Sequence, residues 1–316
     1  DPVGFSVAAG ANEHFSLSFQ SSAGPCMFRV MHVVTQPREP FRTSDGALEI
    51  HQIPAWKDNL IWVAMCTQTR EAAVIDGPEA GPLLEYCTQN DIQLTTILNT
   101  HTHPDHIGVN RDLDKRGRLA ALTVYGPALD ADRVPGLTRP VSEGDSVRVG
   151  AVDGRVLLTE GHIDGHVSYV FDDVLFCGDT LFGAGCGYLF DGPPAKMHAA
   201  LSRLAELEGS TRVCCAHEYT EDNLRFAWSI DGENPRLAER IRTVWALRAR
   251  GECSIPSTIE EERATNPFMR GAALAERVGQ AMPDASMSTP AEIFAATRAL
   301  KDRKLYRGQD DATLPL

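Results

Sequence analysis

Between Thr100 and His106 the chain reads Thr100-His101-Thr102-His103-Pro104-Asp105-His106, so three imidazoles and a carboxylate fall within one short loop. The stretch ahead of it, Ile92-Gln93-Leu94-Thr95-Thr96-Ile97-Leu98-Asn99, is apolar and β-branched and predicts a buried strand, which puts the loop at a strand's C-terminal end. Side chains two apart in extended backbone project to the same side, so His101 and His103 can hold one ion. The turn at Pro104 can swing Asp105 and His106 towards a second. Single histidines are usually surface residues, but four ligand-type groups this close gain nothing from packing unless a metal sits among them. A fold that carries this loop must bring further ligands to it from distant parts of the chain.

With 316 residues, 43% of them hydrophobic, the chain suffices for one large domain and a smaller one, or two of medium size. Its formal net charge is −13 and no Lys/Arg run is dense enough to track phosphates, which argues against a nucleic-acid partner. An anionic substrate therefore needs a local basic pocket. Eight cysteines are scattered through strand-like runs without a CxxC pair, the usage of buried thiols in a reducing compartment. No window reaches the roughly 18 apolar residues of a membrane span, and Asp1 to Gly24 lacks the basic and apolar regions of a secretory signal. The expectation is a cytoplasmic protein with no membrane partner.

Residues 1–47 are punctuated by Ser, Gly and Pro and read as an N-terminal extension, with Met27 or Met31 as a candidate native start that intact mass would test. From Leu48 the texture changes. Leu48 to Ile53, Asn59 to Met65 and Ala72 to Gly77 predict three strands in an antiparallel meander. A helix after Pro78 carries Leu83, Leu84 and Cys87 on one face, and strands follow at Leu122–Tyr125, around Val147, and at Val156–Leu158. His166 to Phe171 and Val174 to Cys177, split by Asp172-Asp173, predict a hairpin. Ala195 to Leu207 predicts an amphipathic helix and Arg212 to Ala216 a buried strand. Past Tyr219 the strand patterns stop: Asn234-Pro235 opens a helix, and Ser257 to Glu260 and Thr289 to Glu292 both fit the capping box. Strands followed by helices argue for a mixed unit over about residues 48–220 and a helical one over 221–316.

Three more ligand-type residues sit at strand ends or in Gly-bounded turns: His162 in Gly161-His162-Ile163-Asp164-Gly165, Asp179 after Cys177-Gly178, and His217 after Val213 to Ala216. Any one alone is ordinary turn chemistry. Added to the first cluster they make seven groups, which is what two adjacent ions with three or four protein ligands each require.

The pattern His101-x-His103-x-Asp105-His106 with His162, Asp179 and His217 behind it resembles the metallo-β-lactamase superfamily. Gly178-Asp179-Thr180-Leu181-Phe182, Gly185-Cys186-Gly187, Cys215-Ala216-His217-Glu218-Tyr219-Thr220, Asn266-Pro267-Phe268-Met269-Arg270 and Arg298-x-x-Lys301-Asp302 narrow it to a resemblance to the hydroxyacylglutathione hydrolase (glyoxalase II) family, over about Leu48 to Tyr306. The resemblance implies an α+β fold: an αββα sandwich with the site at one edge of its sheets, followed by a C-terminal all-helical domain that completes the substrate pocket. It implies that His101, His103 and His162 bind one metal, Asp105, His106 and His217 a second, and that Asp179 bridges them. Asp105, His106 and Asp179 thereby carry the chemistry. The cofactors implied are two divalent metal ions, zinc with iron or manganese as alternatives, because His/carboxylate ligation does not choose among them.

The implied reaction is hydrolysis of S-D-lactoylglutathione to D-lactate and glutathione by a monomeric enzyme: water between two dications ionises near neutral pH and attacks the thioester carbonyl. The resemblance further implies that Arg298 and Lys301, at i and i+3 on the last helix, reach the glycine carboxylate of glutathione and that Tyr219 hydrogen-bonds its peptide. Tyr188 stands where the family usually carries Lys or Arg, and Phe190 where it carries Tyr. Loss of that cation removes a charge-assisted contact worth about 1.5–3 kcal/mol. His166 is read as structural rather than as an eighth ligand, and Cys186 as packing rather than nucleophile. The rival expectation is a glutathione persulfide dioxygenase using a single iron on His101, His162 and Asp179. A catalytically silent metal-binding protein would be expected to have lost ligands, and all seven are present.

Overall fold

Side chains alternate along a strand, so one continuous apolar run can serve two cores. In the computed structural model, which describes residues 31–316, every position of Asn59–Cys66 is buried. Leu60, Trp62, Ala64 and Cys66 enter one apolar cluster, and Ile61, Val63 and Met65 enter another. This strand, β3, lies inside a seven-stranded sheet of β1 (Phe41–Arg42), β2 (Leu48–Ala55), β3, β4 (Glu71–Ile75), β5 (Gln93–Leu98), β6 (Thr123–Pro127) and β7 (Arg139–Val141) in that order. β2 to β4 form the expected antiparallel meander, β1 adds antiparallel to its edge, and β4 to β7 pair in parallel. A parallel neighbour needs a crossover. Helix α1 (Gly81–Gln89) makes the one between β4 and β5, burying Leu83 and Cys87 against the second cluster, and α2 (Gly108–Lys115) adds Val109 and Leu113 to it.

The second sheet contains β8 (Ser146–Val149), β9 (Val152–Leu158), β10 (Val167–Phe171) and β11 (Val174–Gly178). A two-stranded ribbon follows, β12 (Leu181–Phe182) with β13 (Gly185–Cys186), and the sheet resumes with β14 (Arg212–Cys215) and β15 (Ser257–Thr258) in the order β15-β14-β11-β10-β9-β8. The first cluster fills the space between the sheets, where the Trp62 indole N–H donates to the Cys215 carbonyl at 2.8 Å. Helix α3 (Pro194–Leu204) packs Met197, Leu201 and Leu204 against the same cluster. Because β11 and β14 run parallel, the loops bearing Asp179 and His217 leave neighbouring strands in the same direction.

The chain then becomes helical: α4 (Thr220–Asp231), α5 (Pro235–Ala249), α6 (Ile259–Thr265), α7 (Gly271–Ala281) and α8 (Pro290–Asp302). Asn234 caps α5 and Thr289 forms the full capping box of α8, both as the sequence predicts. Two expectations are corrected. The cap of α6 is Thr258, whose hydroxyl accepts from Glu261 N at 3.2 Å, rather than Ser257; and a strand does follow Tyr219, the two-residue β15 on β14. Two residues cannot show a period, so pairing with β14 alone makes that strand visible.

Residues 31–47, read above as extension, contribute β1 and bury Val34 in the first cluster; Met27 and the rest of 1–30 lie outside the described residues. Among the described residues no helix is long and apolar enough to cross a membrane.

Candidate metal centre and substrate pocket

Asp76 ends β4 with left-handed backbone, φ 54°, and its buried carboxylate fastens the histidine loop at both ends. It accepts from Thr100 N at 2.8 Å and Thr100 Oγ1 at 2.7 Å, and from His106 Nδ1 at 2.9 Å. The loop closes on itself through His106 N to His103 O at 3.0 Å. Helix α2 then starts so close to the preceding loop that a Cβ on Gly108 would lie 1.9 Å from the Pro78 carbonyl oxygen.

All seven sequence-predicted ligands converge, in two groups. In the first, His103 Nδ1 lies 3.0 Å from both His101 Nε2 and His162 Nε2, and Asp179 Oδ2 is 3.4 Å from His162 Nε2. In the second, Asp105 Oδ2 is 3.5 Å from His106 Nε2 and 3.3 Å from His217 Nε2, while Asp179 Oδ1 lies 3.4 and 3.5 Å from the same two nitrogens. Asp179 thus turns one oxygen to each group. Four ligands placed tetrahedrally about 2.0–2.1 Å from an ion stand roughly 3.3 Å from one another, close to these separations. His106 Nε2 and Asp179 Oδ1 are buried without a hydrogen-bond partner, the condition of atoms that coordinate rather than hydrogen-bond. The donor set therefore fits metal ions.

The far nitrogens are held. His106 Nδ1 donates to Asp76, His217 Nδ1 to Asp58 Oδ1 at 3.0 Å, His162 Nδ1 to the Tyr188 carbonyl at 2.7 Å, and His101 Nδ1 to Thr100 Oγ1 at 3.0 Å. Each bond leaves the Nε2 lone pair aimed inward. Asn59 Nδ2 also donates to Asp105 Oδ2 at 3.1 Å. Burial, then the surrounding imidazoles, drive His101 well below its ordinary pKa, into the neutral form that ligates. Burial opposes ionisation of Asp179, but the His106 and His217 imidazoles outweigh it and hold the carboxylate charged. Burial likewise disfavours charge on His217, yet Asp179 and Asp105 push it up to about 9. The pull that holds a proton there would equally hold a cation.

His166 is structural, as read: its Nε2 accepts from Asp179 N at 3.2 Å and its Nδ1 faces the Thr159 and Thr180 hydroxyls. His32, His51 and His198 bond or pack elsewhere, and His14 lies outside the described residues.

Beside the second group opens a cavity of about 470 Å³, lined in part by Asp58, Phe182, Tyr188, Tyr219, Arg298 and Lys301. Tyr219 stacks on His217 with centroids 4.8 Å apart. Arg298 and Lys301 are only 7% exposed, so they are not a solvated helix face. Arg298 is held by Asp302 and lies over the Phe268 ring at 5.2 Å. Lys301 meets the Asn223 side-chain carbonyl, and desolvation, then Arg298, push its ammonium down to about 7. Tyr188 is exposed on the cavity rim, but Phe190 is not a lining residue; its ring packs T-shaped on His103 and His162 with centroids 5.2 Å apart. Cys186 is buried against Arg298, and burial pushes its thiol up, in keeping with a packing role. The sequence reading missed Asp76, Asp58, Asn59 and Asn223. The available signal was slight: Asp76 and Asp58 each adjoin a β-strand, at its end or just before its start, where a carboxylate is normally a turn residue.

A family model described as hydroxyacylglutathione hydrolase C-terminus matches residues 218–304, and one described as metallo-beta-lactamase superfamily matches 73–217. A hydroxyacylglutathione hydrolase of Gloeobacter violaceus is 45% identical over 256 residues, covering 80% of this chain and 99% of that one. One from Synechococcus is 43% identical over 81% of this chain and all of its own length. Among solved structures, ETHE1 from Myxococcus xanthus superposes with a TM-score of 0.52 at 25% identity, covering 83% of this chain and 96% of that one. At that identity and coverage, with both family models meeting just past β14, the chain belongs to the hydroxyacylglutathione hydrolase family within the metallo-β-lactamase superfamily.

Proposed function

We propose that the protein is a binuclear metal-dependent thioester hydrolase that cleaves S-D-lactoylglutathione to D-lactate and glutathione, a step of methylglyoxal removal. The observation that carries this reading is the division of Asp179 between two ligand groups beside a cavity holding two buried cationic side chains. In this reading His101, His103 and His162 hold one cation, Asp105, His106 and His217 the other, and Asp179 both. Zinc suits the donor set, as do iron and manganese. Divalent cations held there supply Lewis acidity, which makes water a nucleophile near neutral pH and stabilises charge on the attacked carbonyl oxygen.

The chain's own residues do the rest. Asp76, Asp58, Thr100 and the Tyr188 carbonyl fix the imidazole tautomers. Arg298 and Lys301 take the glycine carboxylate, Tyr219 bonds the peptide, and Tyr188 flanks the thiol carrier with no charge of its own. Phe190 shields the His103 and His162 edges from water. The thiolate leaves without a protein acid. Residues 48–220 serve in this account as the metal-binding unit and 221–316 as the substrate-binding one. The described chain supplies every one of these groups, which supports a working monomer, and its seven described cysteines, free and buried, support a cytoplasmic setting.

The test is turnover by metal-loaded protein of S-D-lactoylglutathione, set against oxygen uptake with glutathione persulfide. Thioester cleavage without oxygen uptake is expected; the reverse would replace this reading with a single-iron oxygenase on His101, His162 and Asp179.

A pH dependence follows from Lys301. Desolvation, then the like charge of Arg298, bring its ammonium down to about 7 against Asp222 and Asp302, which favour protonation. A carboxylate ligand selects the ammonium form. Calorimetric binding of glutathione should therefore weaken as pH rises through 7, by up to about tenfold per unit. Lys301→Met should flatten that step and weaken binding at pH 6; an unchanged profile would remove Lys301 from the carboxylate site.

A further inference from the structure

Six cationic side chains line the cavity: Lys57, Arg225, Arg248, Arg298, Lys301 and Arg307. The four guanidinium groups are already matched, Arg225 with Asp311 at 2.7 Å, Arg307 with Asp222 at 2.8 Å, Arg298 with Asp302 at 2.5 Å and Arg248 with Glu221 at 3.7 Å. Neither lysine has a carboxylate partner among the described residues. Lys301 lies in the depth of the pocket, whereas Lys57 is exposed on the turn between β2 and β3.

That turn is built rather than loose. Its Trp56 adopts φ 50°, the Lys57 carbonyl accepts from Val33 N at 2.7 Å, and the Asp58 carbonyl accepts from Glu218 N at 3.0 Å while its carboxylate holds His217. The backbone beneath Lys57 is thus tied both to the 31–36 segment and to the strand end that carries His217. Of the other exposed lining residues, Tyr188 and Tyr219 bring no charge and Arg307 is paired with Asp222. A ligand with one carboxylate is satisfied at Lys301, with Arg298 beside it sharing its charge with Asp302. A ligand with two has one further uncommitted cation available to it.

We propose that Lys57 is the second carboxylate anchor of this pocket, so that the site selects thiol carriers bearing two carboxylates over those bearing one. The proposal rests on the glutathione thioester reading and deepens it. An exposed ammonium–carboxylate contact is modest and salt-screened, which sets the size of the effect.

The experiment measures calorimetric binding of S-methylglutathione, which has two carboxylates, and of S-methyl-cysteinylglycine, which has one, to metal-loaded full-length protein at low salt. Lys57→Ala should weaken the first about three- to tenfold and leave the second unchanged, Lys57→Arg should retain most of the affinity, and added salt should shrink the difference. Equal loss for both ligands, or no loss for either, would overturn the proposal. Turnover is read separately: a wild type that binds S-methylglutathione but leaves glutathione thioesters intact would overturn the hydrolase reading, while the binding comparison still decides Lys57.

Discussion

Exchanging Asp179 for Asn is expected to lower thioester turnover about a thousandfold or more and to reduce the metal held per chain, read by steady-state kinetics and elemental analysis on the same preparation. The carboxylate has its two oxygens directed at different ligand groups, one facing His162 and one facing His106 and His217. The amide keeps the shape but removes a full negative charge and places N–H groups where one ligand set needs a lone pair. A thousandfold corresponds to about 4 kcal/mol of barrier, reasonable for a group that both positions and neutralises the reactive cations. Near wild-type turnover with full metal content would mean that Asp179 does not bridge, and the binuclear account would fail with it.

Replacing Asp76 with Ala should damage both the site and the fold, although Asp76 is not among the proposed ligands. Its carboxylate takes three hydrogen bonds, two from Thr100 and one from His106, at a position only 3% exposed. Truncation leaves Thr100 N and His106 Nδ1 buried and unpaired at about 1–3 kcal/mol each, so a loss of roughly 2–6 kcal/mol is expected in urea unfolding. With the His106 tautomer no longer fixed, metal affinity should fall about 10–100-fold. Titration with zinc under competing chelator separates the effects: a stability loss with unaltered affinity would make Asp76 a loop fastener and nothing more. Asp76→Asn with its amide oxygen on Thr100 N turns the NH2 group towards Thr100 Oγ1 and His106 Nδ1, so it should recover stability before it recovers affinity.

These two residues mark where sequence reading works and where it stops. The candidate ligands at 101, 103, 105 and 106 are legible because strand geometry and a proline turn act over six residues, and a motif on that scale carries its own geometry. Asp76 has no such local companion. Its partners Thr100 and His106 lie 24 and 30 residues on, and those contacts exist only because β4 and β5 pair in parallel. Asp58 reaches His217 across 159 residues for a related reason, the β2–β3 turn meeting the end of β14. Phe190 lies near the predicted pocket in sequence but packs on His103 and His162 instead, because its N–H donates to the His162 carbonyl and the His162 ring donates to the Tyr188 carbonyl.

The strand over Asn59 to Met65 and the capping pairs Asn234-Pro235 and Thr289-Glu292 were determined by the chain alone, since each depends on neighbours within a turn or a strand. So was the set of seven candidate ligands, because His and Asp at strand ends have few other uses in that number. Tertiary structure alone decided which oxygen of Asp179 faces which group, which lysines of the pocket stay without a carboxylate, and which carboxylates fix the imidazoles. Those are relations between strand ends brought together by sheet pairing, and spacing along a chain does not encode the distance between its folded edges.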